Sequence, residues 1–141
     1  MLHVGVTGSR DGPVTPAQLC TFVNVFVDVI GQASATLHHG DCIGWDAQCH
    51  HIARELAIDI IIHPPDKDDY RAFCEDAVFW FQPRPYLSRN RDIVAATSVL
   101  IGLPKTMHEQ KRKSGTWYTI RYARDRQRKV IVILPDGTIQ D

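Results

Sequence analysis

The sequence predicts an α/β protein: a Rossmann-like, doubly wound parallel sheet of about five strands, in a single domain spanning 1–141. Three observations predict it. Short apolar runs recur without polar alternation, as strands buried on both faces do. Between them lie segments with apolar residues three and four apart, the spacing of a helix face. The two kinds of segment alternate along the whole chain, which is the order of a parallel sheet with crossover helices.

The elements follow in order. "LHVGVTGSR" opens with a β-branched run and ends in Gly8-Ser9-Arg10, a buried strand leading into a tight turn. Thr15 before Pro16 reads as an N-cap with proline at the first helical position. The helix carries a stripe of Phe22, Val23, Phe26, Val27 and Ile30, and Gly31 stops it. A second strand covers 35–40 and a second helix 44–56, with Ala47, Ile52, Ala53 and Leu56 inward. A third strand covers 58–65 and ends at two prolines. Segment 66–84 reads either as a short helix, with Phe73, Ala77 and Trp80 inward, or as a mobile flap. A helix from about Ser88, a strand at 98–104, a polar loop at 105–114, a helix after Gly115 and a strand at 129–137 complete the chain.

Length and composition bound the function. With 141 residues the chain forms one domain with a sizeable core. Lys and Arg total 16, Asp and Glu total 16, so sequence-independent nucleic-acid binding, which needs a basic surface, is disfavoured. The charge is uneven: Lys111, Arg112, Lys113, Arg121, Arg124, Arg126 and Arg128 form a late basic tract able to face an anion or simply water. The 4 cysteines form no CxxC pair, and neither a signal peptide nor a long apolar run is present. The expectation is reduced thiols in a cytoplasmic protein with no membrane contact. Cys20 reads as core. Cys42 lacks an adjacent base fixed by local spacing, so a nucleophile is disfavoured. His38, His39, His50 and His51 invite a zinc site, but neighbours on a strand or helix point apart, so at most one of each pair would join it. Neither a metal nor a cofactor is expected.

In an open parallel sheet the ligand crevice lies beyond the carboxyl ends of the strands, where strand order reverses. Four stretches converge there: Gly8-Ser9-Arg10, the loop 40–46, the pair Arg89-Asn90 and Ser114-Gly115-Thr116. Glycines allow close backbone approach, and free N–H groups at a helix start attract anions. For phosphate the candidates are Gly8, Ser9, Arg10, Ser114, Gly115 and Thr116; Arg89 and Asn90 would close the site. In the loop 40–46, Gly40 and Gly44 shape the turn, Asp41 and Asp46 would hold ribose or base edges, and Trp45 would stack on a base or pack in the core. Each residue alone has a structural explanation as turn, cap or surface pair; together they favour a nucleotide-like small molecule. Neither G-x-G-x-x-G running into a helix nor G-x-x-x-x-G-K-[ST] occurs, which disfavours a dehydrogenase and an ordinary ATPase.

"VGVTGSRD", "HHGDCIGWDAQCHHIA", "YLSRNRDIVAATSVLIGLP" and "SGTWYTIRYARDRQRKVIVI" together resemble the SLOG superfamily of Rossmann-like proteins, in particular its YspA-like branch, found in bacteria and their phages. The resemblance runs from Val4 to Ile133, without a clear counterpart for 66–85. It implies one of three activities: hydrolysis of nucleoside 5′-monophosphates, as in the Lonely Guy phosphoribohydrolases; binding of nucleotide-derived signals such as cyclic ADP-ribose species; or handling of single-stranded DNA, as in the DprA group. The hydrolases pair an arginine with the glutamate of P-G-G-x-G-T-x-x-E. Arg89 matches the arginine, and Gly115 and Thr116 match the G-T pair, but Thr119 stands where the glutamate belongs. Threonine does not stabilise an oxocarbenium-like state, so Asp41, Asp46 or Glu109 would have to substitute. A binder, acting as sensor or sequestering protein, is the leading expectation, and a nucleoside 5′-monophosphate N-glycosidase with Arg89 catalytic is the rival. The resemblance, with the aromatic run "VFWF", also implies a homodimer or higher homo-oligomer, with 66–84 as the segment reaching into a second chain.

Overall fold

Thr15 starts the first helix as its sequence demands. Its hydroxyl accepts from Gln18 N at 3.0 Å, and the Gln18 side chain accepts from Thr15 N at 3.1 Å, a reciprocal capping box ahead of Pro16. The computed structural model describes residues 1–11, 13–31 and 34–140. Its elements are β1 (Leu2–Gly8), α1 (Pro16–Ile30), β2 (Ala35–His39), α2 (Trp45–Glu55), β3 (Asp59–Ile62), β4 (Phe79–Trp80), α3 (Tyr86–Ala96), β5 (Val99–Leu103), α4 (Gly115–Asp125), β6 (Lys129–Ile133) and β7 (Ile139–Gln140).

These strands form one sheet in the order β4-β3-β2-β1-β5-β6-β7. Every pairing is parallel except β6 with β7. The Rossmann-like α/β architecture is therefore as the sequence predicts, with two short strands added at the edges. The chain winds outward from β1 through β2 and β3 to β4, then returns to place β5 on the other side of β1. The strand order reverses between β1 and β5, and that is where such folds open a crevice.

Side-chain alternation builds a core on each face. Val4, Val6, Leu37, Ile60, Ile62, Ile101 and Leu103 meet Phe22 and Phe26 of α1 and Trp45, Cys49 and Ala53 of α2. Phe22 and Trp45 pack edge to face with centroids 4.6 Å apart. Full burial of such side chains contributes about 2–3 kcal/mol each. On the other face Leu100 meets Ile93 and Val94 of α3 and Ala123 of α4, and Val132 meets Trp117 and Ile120.

Three expectations need correction. Cys20 is exposed, because the buried stripe of α1 runs Gln18, Phe22, Phe26 and Cys20 sits midway between the first two, on the opposite side. The buried stripe of α2 is Trp45, Cys49 and Ala53, while Leu56 is exposed. Gly44, at φ 85° and ψ −128°, turns the chain so that the helix enters with Trp45 pointing into the core. Segment 66–84 forms neither a helix nor a free flap: Phe73 and Asp76 have positive φ, which breaks helical geometry, and the segment folds back onto its own chain. Ala72 N donates to Asp41 O at 2.7 Å, Ile43 N to Tyr70 O at 2.9 Å, and Val78 N to Ile60 O at 2.8 Å.

A Cβ at Gly44 would lie 2.7 Å from the Ser9 carbonyl oxygen, against backbone that cannot swing aside. With a backbone conformation open essentially to glycine alone, Gly44→Ala is expected to cost about 2 kcal/mol. Urea unfolding at neutral pH tests this; an unchanged midpoint would refute it.

Candidate functional site

The reversal between β1 and β5 opens into a crevice of about 480 Å³. β1 and its following turn supply Gly8, Ser9 and Arg10; α2 supplies Asp46; α3 supplies Tyr86, Arg89 and Asn90; the β5–α4 connection supplies Lys105, Lys111 and Lys113; and α4 opens onto it with Ser114, Gly115 and Thr116. Nine of the thirteen sequence-predicted ligand residues thus line one cavity: Gly8, Ser9, Arg10, Asp46, Arg89, Asn90, Ser114, Gly115 and Thr116.

The anion-facing side begins at α4. Ser114 caps it, its hydroxyl accepting from Trp117 N at 3.1 Å. The N–H groups of Gly115 and Thr116 stand in the first turn, where no helical carbonyl reaches them, and they carry the positive end of the helix dipole. Asn90 Oδ1 accepts from Arg89 Nε at 2.9 Å, so the Asn90 amide is oriented with Nδ2 toward α4. Across the cavity, the Arg10 guanidinium lies 4.0 Å over the Tyr70 ring and 4.9 Å from the Tyr86 ring centroid, held by the π faces without spending its hydrogen-bond donors. Lys105 is paired with Asp11 at 3.0 Å and Arg121 with Glu109 at 3.1 Å. Among the described residues, Arg10, Lys111 and Lys113 have no carboxylate within 4.0 Å. The mouth therefore carries uncompensated positive charge.

The floor pairs a buried carboxyl with a buried guanidinium. Asp46 is buried, and its Oδ2 accepts from Gly40 N and from Cys42 N, both at 3.2 Å. It folds back on the loop rather than capping α2, whose N-cap is Gly44. Burial pushes its carboxyl up to about 6, although the Arg89 cation and the two amides pull the other way. Arg89 is itself buried. Its Nη1 donates to Gly40 O and, at 2.9 Å, to His63 O, and its Nη2 approaches Cys42 Sγ at 3.6 Å. A Cβ at Gly40 would sit 2.5 Å from the guanidinium carbon, so only glycine leaves room for it. Arg89 is not the surface ion pair that its type alone would allow.

Four predicted residues lie elsewhere. Trp45 is fully buried against Phe22 and cannot stack on a base; the β1–α2 contact is so close that a Cβ at Gly8 would meet its indole at 2.5 Å. Asp41, fully buried at φ 58°, gives one carboxylate oxygen to Arg71 Nε at 2.8 Å and the other to Cys74 N at 2.9 Å, so it anchors segment 66–78 instead of a ribose. Gly40 and Gly44 act behind the wall, through Arg89 and the turn. The crevice also holds Tyr86, Tyr118, Lys105, Lys111 and Lys113; none was among the candidate site residues, although Lys111 and Lys113 belong to the basic tract able to face an anion. The lysines had a visible signal, since they precede the glycine that opens α4; the tyrosines had none.

Two further polar clusters touch the loop 40–46. Cys42 Sγ and Tyr86 Oη lie 3.1 Å apart, and burial raises the Cys42 thiol, so the thiolate a nucleophile needs is disfavoured. His39, His50 and Cys74 bring three metal-type atoms within 4.8 Å of one another, one histidine from each adjacent pair. Their hydrogen bonds have a fixed polarity, however. Asp41 N–H donates to His39 Nδ1 at 2.9 Å, so the neutral ring carries its proton at Nε2 and donates it to His50 Nδ1, also at 2.9 Å. The lone pair a metal would take from His39 is the one this arrangement lacks.

The fold and crevice together define a Rossmann-like α/β protein with a switch-point cavity that is cationic at its mouth and holds the buried Asp46 carboxyl beside the buried Arg89 guanidinium at its floor. No protein-family model matches the chain, and no curated protein matches it. Among solved structures, the crystal structure of TM1055, a structural-genomics target, is similar with 16% sequence identity and a TM-score of 0.64, covering 92% of this chain and 72% of that one. At that identity the likeness is one of fold. Among the described residues no helix is long and apolar enough to cross a membrane.

Proposed function

We propose that the protein binds a nucleotide or nucleotide-derived phosphate ligand in the switch-point crevice, as a sensor or a sequestering protein. The observation that carries this reading is the pairing of unlike ends in one cavity: unpaired Arg10, Lys111 and Lys113 with the α4 amides at the mouth, and buried Asp46 at the floor. Phosphate suits the first, through charge-assisted hydrogen bonds. A ribose hydroxyl suits the second, because a carboxylate accepts what a hydroxyl donates. The resemblance to the SLOG superfamily, one kind of whose members binds nucleotide-derived signals such as cyclic ADP-ribose species, supports the same reading.

The N-glycosidase alternative is weaker. Arg89 spends its donors on Gly40 O, His63 O and Asn90, and the Thr119 hydroxyl donates to Gly115 O at 2.8 Å. The test is to incubate the protein with nucleoside monophosphates, ADP-ribose and cyclic nucleotides and to analyse bound and free fractions by chromatography with mass detection. The expected result is an intact ligand retained by the protein and released on denaturation. Failure of every nucleotide to be retained overturns the reading. Free base that disappears in Arg89→Ala would make the protein a hydrolase.

A further inference from the structure

Aromatic rings hold Arg10 from two sides. Its guanidinium carbon lies 4.0 Å from the Tyr70 ring centroid and 4.9 Å from that of Tyr86. Tyr86 in turn has the Arg89 guanidinium carbon 4.8 Å from its own centroid. Tyr70, Arg10, Tyr86 and Arg89 thus form one alternating series from the mouth of the crevice to its floor. Tyr86 opens α3, a wall of the crevice. Tyr70 comes from segment 66–84, for most of which the family resemblance offers no counterpart. Its backbone is nevertheless fixed. Tyr70 O accepts from Ile43 N at 2.9 Å. The neighbouring Arg71 Nε donates to Asp41 Oδ2 at 2.8 Å, an ion pair whose carboxylate is fully buried. Moving Tyr70 off Arg10 would strain that pair, and breaking a buried pair is costly. Yet Tyr70 itself is 47% exposed, so its ring does not fill the core.

We propose that Tyr70 is a positioning residue of the crevice, holding the Arg10 guanidinium in place for the anionic end of the ligand. This rests on the phosphate reading of the crevice. An arginine on a turn loses several rotatable bonds' worth of freedom when it grips a ligand, and that loss subtracts from affinity. A ring stacked on the guanidinium meets the loss before the ligand arrives. It does so through the π face, which leaves the N–H donors unspent, where a carboxylate partner would neutralise the charge and occupy them. Tyr70 therefore acts through Arg10 and not on the ligand. The buried Asp41–Arg71 pair has a purpose in the same scheme: it carries the fixed geometry of loop 40–46 out to the mouth.

Calorimetric titration with AMP, ADP-ribose and inorganic pyrophosphate tests the proposal on folded variants, checked by circular dichroism. Tyr70→Leu is expected to weaken binding about three- to tenfold. Tyr70→Gln, a second removal of the ring, should do the same and keeps the test open should leucine disturb the fold. Tyr70→Phe should bind as the wild type does, because the ring and not the hydroxyl meets the guanidinium. In an Arg10→Ala background Tyr70→Leu should cost nothing more, as two residues acting as one are not additive. If the wild type binds a probe and removing the ring changes nothing, this inference is overturned while the phosphate reading stands. Additive losses in the double variant, or a phenylalanine as weak as leucine, overturn it too, by placing Tyr70 on the ligand itself. A wild-type chain that binds none of the three probes overturns the phosphate reading and this inference with it.

Discussion

Replacing Asp46 with asparagine is expected to stabilise the ligand-free protein at pH 8 by about 3 kcal/mol and to weaken ligand binding at least tenfold. The two effects share one cause. The carboxyl titrates at about 6 in the fold against 3.8 as its ordinary value, because burial disfavours the charged form. The folded state therefore holds a proton between pH 3.8 and 6 that the unfolded chain has lost. Stability falls as pH rises through that window and stays lower above it. A shift of this size corresponds to about 3 kcal/mol. Asparagine carries no charge at any pH, and its Oδ1 can accept from Gly40 N and Cys42 N as Asp46 Oδ2 does. The Asp46→Asn protein should then melt roughly 10 °C higher at pH 8, and the gap should close as pH falls toward 4.

Binding moves the other way. A hydrogen bond from a ligand hydroxyl to a buried carboxylate is worth about 1.5–3 kcal/mol, which is ten- to a hundredfold in affinity. Calorimetric titration with AMP and with ADP-ribose, beside thermal melts of both proteins at pH 8 and pH 4.5, separates the outcomes. An equal or lower melting temperature at pH 8 would show that Asp46 carries no burial penalty. A stabilised protein with unchanged affinity would place the ligand elsewhere. A buried carboxylate that costs stability is the pattern expected where a fold gives up local consistency for a site.

What the chain disclosed in advance follows from how local each signal is. Helix α1 was readable because Thr15, Pro16 and the stripe through Phe22 and Phe26 act within a few residues of one another. The sheet was readable because continuous burial leaves a compositional mark, as in the fully buried β2 and β5. Strand β4 left none: two residues are too few for a period, and their pairing with β3 is set by a fold-back anchored on Asp41. The same distance effect explains the site. Glycines and a helix start announce a crevice, and nine of its residues were found this way. Yet the direction of Trp45 depends on the turn at Gly44, and the fate of Asp41 depends on Arg71, thirty positions along. A tryptophan and an aspartate beside a glycine look alike whether they face a ligand or the core.

The buried histidines lead to the second large effect, a steep loss of stability in mild acid. His38 bridges two neighbours: its Nε2 lies 2.9 Å from His3 Nδ1 and its Nδ1 lies 2.8 Å from His63 Nε2. His39 is hydrogen-bonded through both nitrogens, to Asp41 N and to His50. Burial lowers His38 to about 4 and His63 to about 3, holds His39 well below its ordinary 6.5 and lowers His50 in the same direction. As pH falls below 6.5 the unfolded chain takes up these protons and the folded chain does not. Stability is full above 6.5 and is lost toward the folded values, at about 1.4 kcal/mol per histidine per pH unit. His38 and His63 together then remove roughly 4 kcal/mol between pH 6.5 and 5, His39 and His50 act in the same direction, and protonation of Asp46 returns about 1 kcal/mol. Against the usual 5–15 kcal/mol of a domain this is a large fraction of the total, so the protein is expected to be far less stable at pH 5 than at pH 7. Urea titrations at pH 7.5, 6.5, 5.5 and 5 should give a stability that is flat in the first interval and then drops, with the slope of two to three protons taken up on unfolding. A stability unchanged from pH 7.5 to 5 would mean that these imidazoles are charged in the fold, and the hydrogen-bonded chain from His3 to His63 would have to be redrawn.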